Sequence, residues 1–98
     1  MEKKTPHTRL RVVQAMVAQG KVRSTFTAEA SAEEMGFDFD GMCEVIAGLS
    51  SKDFFKSMTT YADHTVWQDV YLPTVNDVML YVKVTVVDDV LIVSFKEK

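Results

Sequence analysis

The residues best suited to chemistry gather in the second half of the chain: Lys56, Tyr61, His64, Trp67, Gln68, Tyr81, Lys83 and Lys96. Lysines, a tyrosine and a neutral amide match what metal-free cleavage of an RNA phosphodiester requires. There the nucleophile is the substrate's own 2′-hydroxyl. A protein adds a base for that hydroxyl, a proton for the departing 5′-oxygen, and positive charge against the phosphorane. The same set also describes a solvated strand face with Trp67 packed at a sheet edge, and composition by itself favours that plainer reading.

Other chemistries lack their parts. His7 and His64 are the only histidines, fall on different elements, and have no H-x-x-x-H or cysteine cluster around them. There is no phosphate-binding glycine loop, no dinucleotide fingerprint and no nucleophile elbow. The single cysteine, Cys43, excludes an internal disulfide framework and a cysteine-based zinc site. It lies beside an apolar helical stripe and reads as a structural thiol. No metal and no cofactor is expected.

With 98 residues, 47% of them apolar and 26% charged, the chain has the composition of one globular domain spanning residues 1–98. No apolar run reaches the length of a membrane span or a signal peptide, so neither a membrane nor export is expected, and the location expected is the cytoplasm. The net charge of −3 is unevenly spread. Residues 1–25 carry +5, residues 26–50 carry six acids and no base, and residues 51–98 carry −2. A polyanion must therefore meet a local basic surface, because the global field repels it.

These candidates need elements to hold them. The first half reads as helices: Thr5 as a cap with Pro6 at the first helical position, then Leu10, Val13 and Val17 at helical spacing up to Gly20. An extended piece follows at 22–25. Thr27 is placed to cap a second, alanine-rich helix running to Met35 and ended by Gly36. Asp38 caps a third, with Met42, Val45, Ile46 and Leu49 as its stripe. The second half changes to β-branched and aromatic residues, with strands at about 52–60, 66–72, 78–87 and 90–96. The class is α+β, a mainly antiparallel sheet with helices packed on one face.

The last hairpin can be given a register. A two-residue Asp88-Asp89 turn pairs Val87 with Val90, Val86 with Leu91, Val84 with Val93 and Val82 with Phe95, an apolar face. The other face pairs Thr85 with Ile92, Lys83 with Ser94, and Tyr81 with Lys96. Alternation in 66–72 puts Val66, Gln68, Val70 and Leu72 together on the inward side, with Trp67, Asp69 and Tyr71 outward. For Gln68 to join Tyr81, that strand then needs a bulge or a polar inner face.

Four segments carry a resemblance: Met1-Glu2-Lys3-Lys4-Thr5-Pro6-His7-Thr8-Arg9-Leu10; Phe37-Asp38-Phe39-Asp40-Gly41-Met42-Cys43; Phe55-Lys56-Ser57-Met58-Thr59-Thr60-Tyr61 with Asp63 to Tyr71; and Asp89 to Lys98. They resemble the motility quorum-sensing regulator (MqsR) toxins of bacterial toxin–antitoxin systems, without gaps over the whole chain. The resemblance implies a RelE-like fold and a ribosome-independent, metal-independent mRNA interferase that cuts at GC-containing triplets, chiefly GCU. It also implies a zinc-binding helix-turn-helix antitoxin that represses a shared operon. A homodimer or a toxin–antitoxin heterotetramer stays open.

The family's catalytic positions fall on Lys56, Gln68, Tyr81 and Lys96. Lys56 and Lys96 would bind phosphate and stabilise charge, either able to act in proton transfer if neighbouring cations depress its pKa; Tyr81 would orient the phosphate or exchange a proton, and Gln68 would bond a base or the 2′-hydroxyl. Lys83, His64 and Arg23 are assigned to RNA binding, although His64 in a hairpin loop and Arg23 at an edge strand also suit plain solvent exposure. Toxins of this class are usually basic and this chain is acidic. Either RNA binding is salt-sensitive or the acidic helices face away from the substrate. The rival from another class is a non-catalytic module that binds the antitoxin and tunes its DNA binding. A direct DNA-binding regulator is disfavoured, since no basic recognition helix is evident.

Overall fold

In the computed structural model, which describes residues 1–98, helices form where caps and stops agree. The helices are α1 (Leu10–Ala18), α2 (Phe26–Glu34) and α3 (Phe39–Ala47). Helix α3 starts as its sequence dictates, because Asp38 Oδ1 accepts from the Gly41 amide at 2.7 Å. Helices α1 and α2 end where Gly20 and Gly36 take positive φ of 78° and 88°. The amide three places past each helix then returns to a last-turn carbonyl, Lys21 to Met16 and Phe37 to Ala32. The side-chain amide of Gln14, on α1, reaches three carbonyls at the end of α3, those of Ile46, Ala47 and Leu49.

Two helix starts differ from expectation. Helix α1 begins at Leu10, not at Pro6, because the carboxylate of Asp69 accepts from the His7 and Thr8 amides at 3.0 and 3.1 Å and holds that stretch out of a helix. The α2 cap is Thr25 rather than Thr27; its hydroxyl accepts from the Ala28 amide at 3.1 Å, which leaves Thr27 inside the first turn.

The strands are β1 (Glu2–Lys3), β2 (Val22–Ser24), β3 (Phe54–Thr59), β4 (Trp67–Tyr71), β5 (Thr74–Val75), β6 (Val78–Val87) and β7 (Asp89–Glu97). Their order is β1-β3-β4-β6-β7-β2, with β5 paired to β6, and every pairing is antiparallel except that of β2 with β7. The α+β class expected from the sequence holds. Strands β1 and β5 were not anticipated. β5 and β6 turn on Asn76 and Asp77, both at positive φ. A turn of 3-10 helix at Ser51–Asp53 occupies the expected start of the first strand, which begins at Phe54.

The helices cover one side of the sheet. Val13 and Val17, Ala28 and Ala32, and Met42 and Ile46 close a core with Tyr71, Leu80, Val82, Val84, Val90, Ile92 and Phe95. Each fully buried aliphatic side chain contributes about 1.5–3 kcal/mol. The alanines of α2 let it approach β7 closely. The acidic block of residues 26–50 rides on these helices, on the far side of the sheet from its open face.

The β6–β7 register is as expected only in part. Tyr81 pairs with Lys96, Val82 with Phe95 and Lys83 with Ser94, but beyond that Val84 pairs with Ile92, Thr85 with Leu91 and Val86 with Val90. The turn is one residue shorter than expected, Asp88 alone at φ 67°, and Val93 is the extra residue that restores the register. Val90 and Ile92 are consequently buried, in place of Leu91 and Val93. In β4 the expected facing is reversed. Tyr71 lies in the core and Asp69 is buried against Ser57, so Gln68 and Val70 point to the open face with no bulge in that strand.

Candidate active site

The open face is built from rows of paired residues, and directly paired residues share a face. Lys56, Val70, Lys83 and Ser94 form one row across β3, β4, β6 and β7. Tyr81 and Lys96 form the next row on one side, and Met58 and Gln68 the next on the other. Strands lie about 5 Å apart and alternate residues about 7 Å apart, so these side chains spring from a patch roughly 16 Å across.

Both outer lysines reach that face through a bulge. Phe54 pairs with Tyr71 and packs on the core, yet Lys56, two residues on, pairs with Val70 on the open side; Phe55 is the extra residue between them. Val93 does the same for Lys96.

The electrostatics follow from this placement. Lys83 stands between the other two lysines, and partial burial, then Lys96, then Lys56, pull its proton affinity below that of an ordinary lysine. The Lys96 ammonium lies 5.2 Å from the centre of the Tyr81 ring. The Lys56 ammonium lies 5.3 Å from the centre of the Phe55 ring and 2.9 Å from Glu2 Oε2. Glu2 reaches it because β1 pairs with β3 and sets Glu2 opposite Met58 on the open face. Lys56 holds the Glu2 carboxyl below the usual carboxylate range.

Of the residues singled out in the sequence, Lys56, Gln68, Tyr81, Lys83 and Lys96 therefore share one face. His64 borders it, in the loop between β3 and β4, lining a recess with Glu2 and Met58. Arg23 stands apart. It pairs with Leu91 near the start of β7, at the other end from Lys96, and its Nε is 3.6 Å from Asp89 Oδ2. Trp67 is on the helix side, with the Lys3 ammonium 4.1 Å above its ring and His7 stacked at 5.6 Å. Cys43 is partly buried, and burial pushes its thiol up.

Glu2 was missed. A two-residue strand carries no periodicity, and nothing in the sequence signals its bridge to Lys56. A cleft of about 590 Å³ lies between α2 and α3 and is edged by Glu29, Glu33 and Asp38, the wrong sign for a polyanion. No three histidine, cysteine, aspartate or glutamate side chains converge in a way that could hold a metal ion.

The family described as "Motility quorum-sensing regulator, toxin of MqsA" matches residues 5–97. The chain is 62% identical, over all 98 residues and the full length of both proteins, to the mRNA interferase toxin MqsR of Escherichia coli (strain K12).

Proposed function

The chain belongs to the motility quorum-sensing regulator toxin family, and from that premise we propose a single-domain cytoplasmic toxin that cuts messenger RNA at GC-containing triplets such as GCU. A zinc-binding helix-turn-helix antitoxin neutralises it. What carries the reading is the gathering of Lys56, Lys83, Lys96, Tyr81 and Gln68 on the one sheet face that no helix covers.

The proposed chemistry uses these side chains and the substrate's own hydroxyl. The 2′-oxygen attacks phosphorus, the bond to the 5′-oxygen breaks, and the products end in a 2′,3′-cyclic phosphate and a 5′-hydroxyl. Lys83, whose proton affinity is lowered by partial burial and by the Lys96 and Lys56 ammoniums, takes the 2′-hydroxyl proton. Lys56 and Lys96 bind the phosphate from either side and offset the charge that grows on its oxygens. Tyr81 passes a proton to the leaving 5′-oxygen. Gln68 donates to a base or sugar oxygen without titrating. The acidic helices lie behind the sheet, so the substrate meets the local lysine field rather than the net charge.

The test is to incubate the purified chain with RNA containing GCU triplets under excess chelator and map the new 5′ ends. Cuts clustered at the triplets are expected. Scattered cuts contradict the specificity, and no cuts contradict the reading.

A further inference from the structure

Of the three lysines on the open face, Lys56 alone already holds an anion. Its ammonium lies 2.9 Å from Glu2 Oε2 and makes no other ion pair. The two partners are unequally placed, the Lys56 side chain being 21% exposed and that of Glu2 55%. The bulged Phe55 ring, 5.3 Å from the ammonium, helps to enclose the lysine. Lys56 is therefore the fixed member of the pair. The carboxylate is the movable one, since an exposed carboxylate returns to water at little loss.

The backbone under Glu2 is tied down. β1 sets Glu2 opposite Met58 and Lys3 opposite Ser57, and the Met1 carbonyl accepts from the Thr59 amide at 3.0 Å. The Lys3 ammonium lies over Trp67, and Asp69 accepts from the His7 and Thr8 amides. With the strand fixed at both ends, the part free to leave Lys56 is the Glu2 side chain. A second cation waits beside it. Lys4 lies two residues from Glu2, and its ammonium is 5.5 Å from the centre of the same Phe55 ring. Lys4 and the Met1 ammonium both act on the Glu2 carboxyl, less strongly than Lys56 does.

A carboxylate and a phosphodiester are both monoanions that accept from an ammonium, so they compete for Lys56. We propose that Glu2 is a resident counter-ion of Lys56, which the RNA phosphate displaces toward Lys4, and that this carboxylate sets the strength and salt response of substrate binding. A single small anion has to break the Glu2–Lys56 pair unaided. A phosphate within an RNA chain is also drawn by Lys83 and Lys96, so the pair favours the polymer over free anions. The inference rests on the nuclease reading and adds to it a residue that competes with the substrate.

The experiment compares the wild type, Glu2→Gln and Glu34→Gln on a short RNA with one GCU triplet and on its 2′-O-methylated, uncleavable counterpart. Glu34 is exposed on α2, so its substitution removes the same unit of charge from the helix side of the sheet. Glu2→Gln is expected to lower KM, and the Kd of the uncleavable RNA, by about three- to fivefold. The fall of log affinity with log salt should steepen in that variant by up to about 0.7. Glu34→Gln should change KM and Kd by less than about 1.5-fold. Carbon-detected titration should place the midpoint of the Glu2 carboxyl higher in the complex with uncleavable RNA than in the free chain. The complex takes away Lys56, the main cause of its lowering. Unchanged or weaker RNA binding in Glu2→Gln, an equal gain in Glu34→Gln, or a Glu2 midpoint that RNA does not raise overturns the displacement, while cleavage by the wild type keeps the nuclease reading. A wild-type chain that cuts no RNA overturns both.

Discussion

Ile92 and Lys96 lie four residues apart on β7, a spacing that simple alternation assigns to one face, yet Ile92 is fully buried in the core and Lys96 stands on the open face. The extra residue, Val93, turns the strand between them. Its carbonyl accepts from the Thr25 hydroxyl at 3.2 Å, and the Ile92 carbonyl accepts from the Thr25 amide at 3.0 Å. One threonine therefore caps α2 and pins the bulge that presents Lys96.

Thr25→Ala removes both bonds of the hydroxyl at once, the one it accepts from the Ala28 amide and the one it donates to the Val93 carbonyl, and leaves the backbone bond to Ile92 in place. It should lower stability by about 2 kcal/mol, against a few tenths for Thr27→Ala, which caps nothing. Paired urea denaturation curves check this. Equal midpoints for the two variants contradict the assignment of the cap.

Lys83 owes its lowered proton affinity to burial first and then to Lys96 and Lys56. Removing one neighbouring cation, as in Lys96→Gln, must let it rise toward the ordinary lysine value. Nitrogen-detected titration of the Lys83 ammonium should therefore show a higher midpoint in Lys96→Gln than in the wild type. In the wild type, cleavage should rise with pH through that midpoint as the neutral amine forms.

Asp69 is buried and accepts from the His7 and Thr8 amides and, at 2.6 Å, from the Ser57 hydroxyl. Asp69→Asn places an N–H where a donor already points, and should cost about 2 kcal/mol. The amides of His7 and Thr8 should lose hydrogen-exchange protection first, before those of β6, because the N-terminal segment is tethered at this point.

Tyr71 is buried with no partner for its hydroxyl, and burial, aided by Asp69, pushes its pKa up to about 12. An unfolded tyrosine ionises near pH 10. Above that pH the unfolded chain releases a proton the folded chain keeps, so stability is intact below about 10 and is lost as pH climbs toward 12. Tyr71→Phe should raise stability at neutral pH by about 1 kcal/mol, flatten that alkaline loss and leave cleavage unchanged. Thermal melts at pH 7 and pH 11 measure all but the last.

The parts of this fold written in local chemistry were legible. Asp38 followed by the Met42–Ile46 stripe specifies α3, and Tyr81 opposite Lys96 follows from hairpin pairing near its open end. What was not legible depends on single-residue shifts or distant partners. A bulge at Phe55 or Val93 leaves the composition of its strand unaltered while inverting everything after it. Gln68 was assigned inward by alternation. The strand's facing was decided instead by Tyr71 entering the core and by Asp69 meeting backbone amides from the far end of the chain. Pro6 has every local mark of a helix start, and the same Asp69 overrides it.

The account rests on the lysine face breaking RNA, and the rate of cleavage of a GCU-containing RNA by Lys56→Ala and Tyr81→Phe, beside the wild type, tests it most directly. With folding verified by circular dichroism, each variant should be slower by about a hundredfold or more. Wild-type rates in both variants would contradict it.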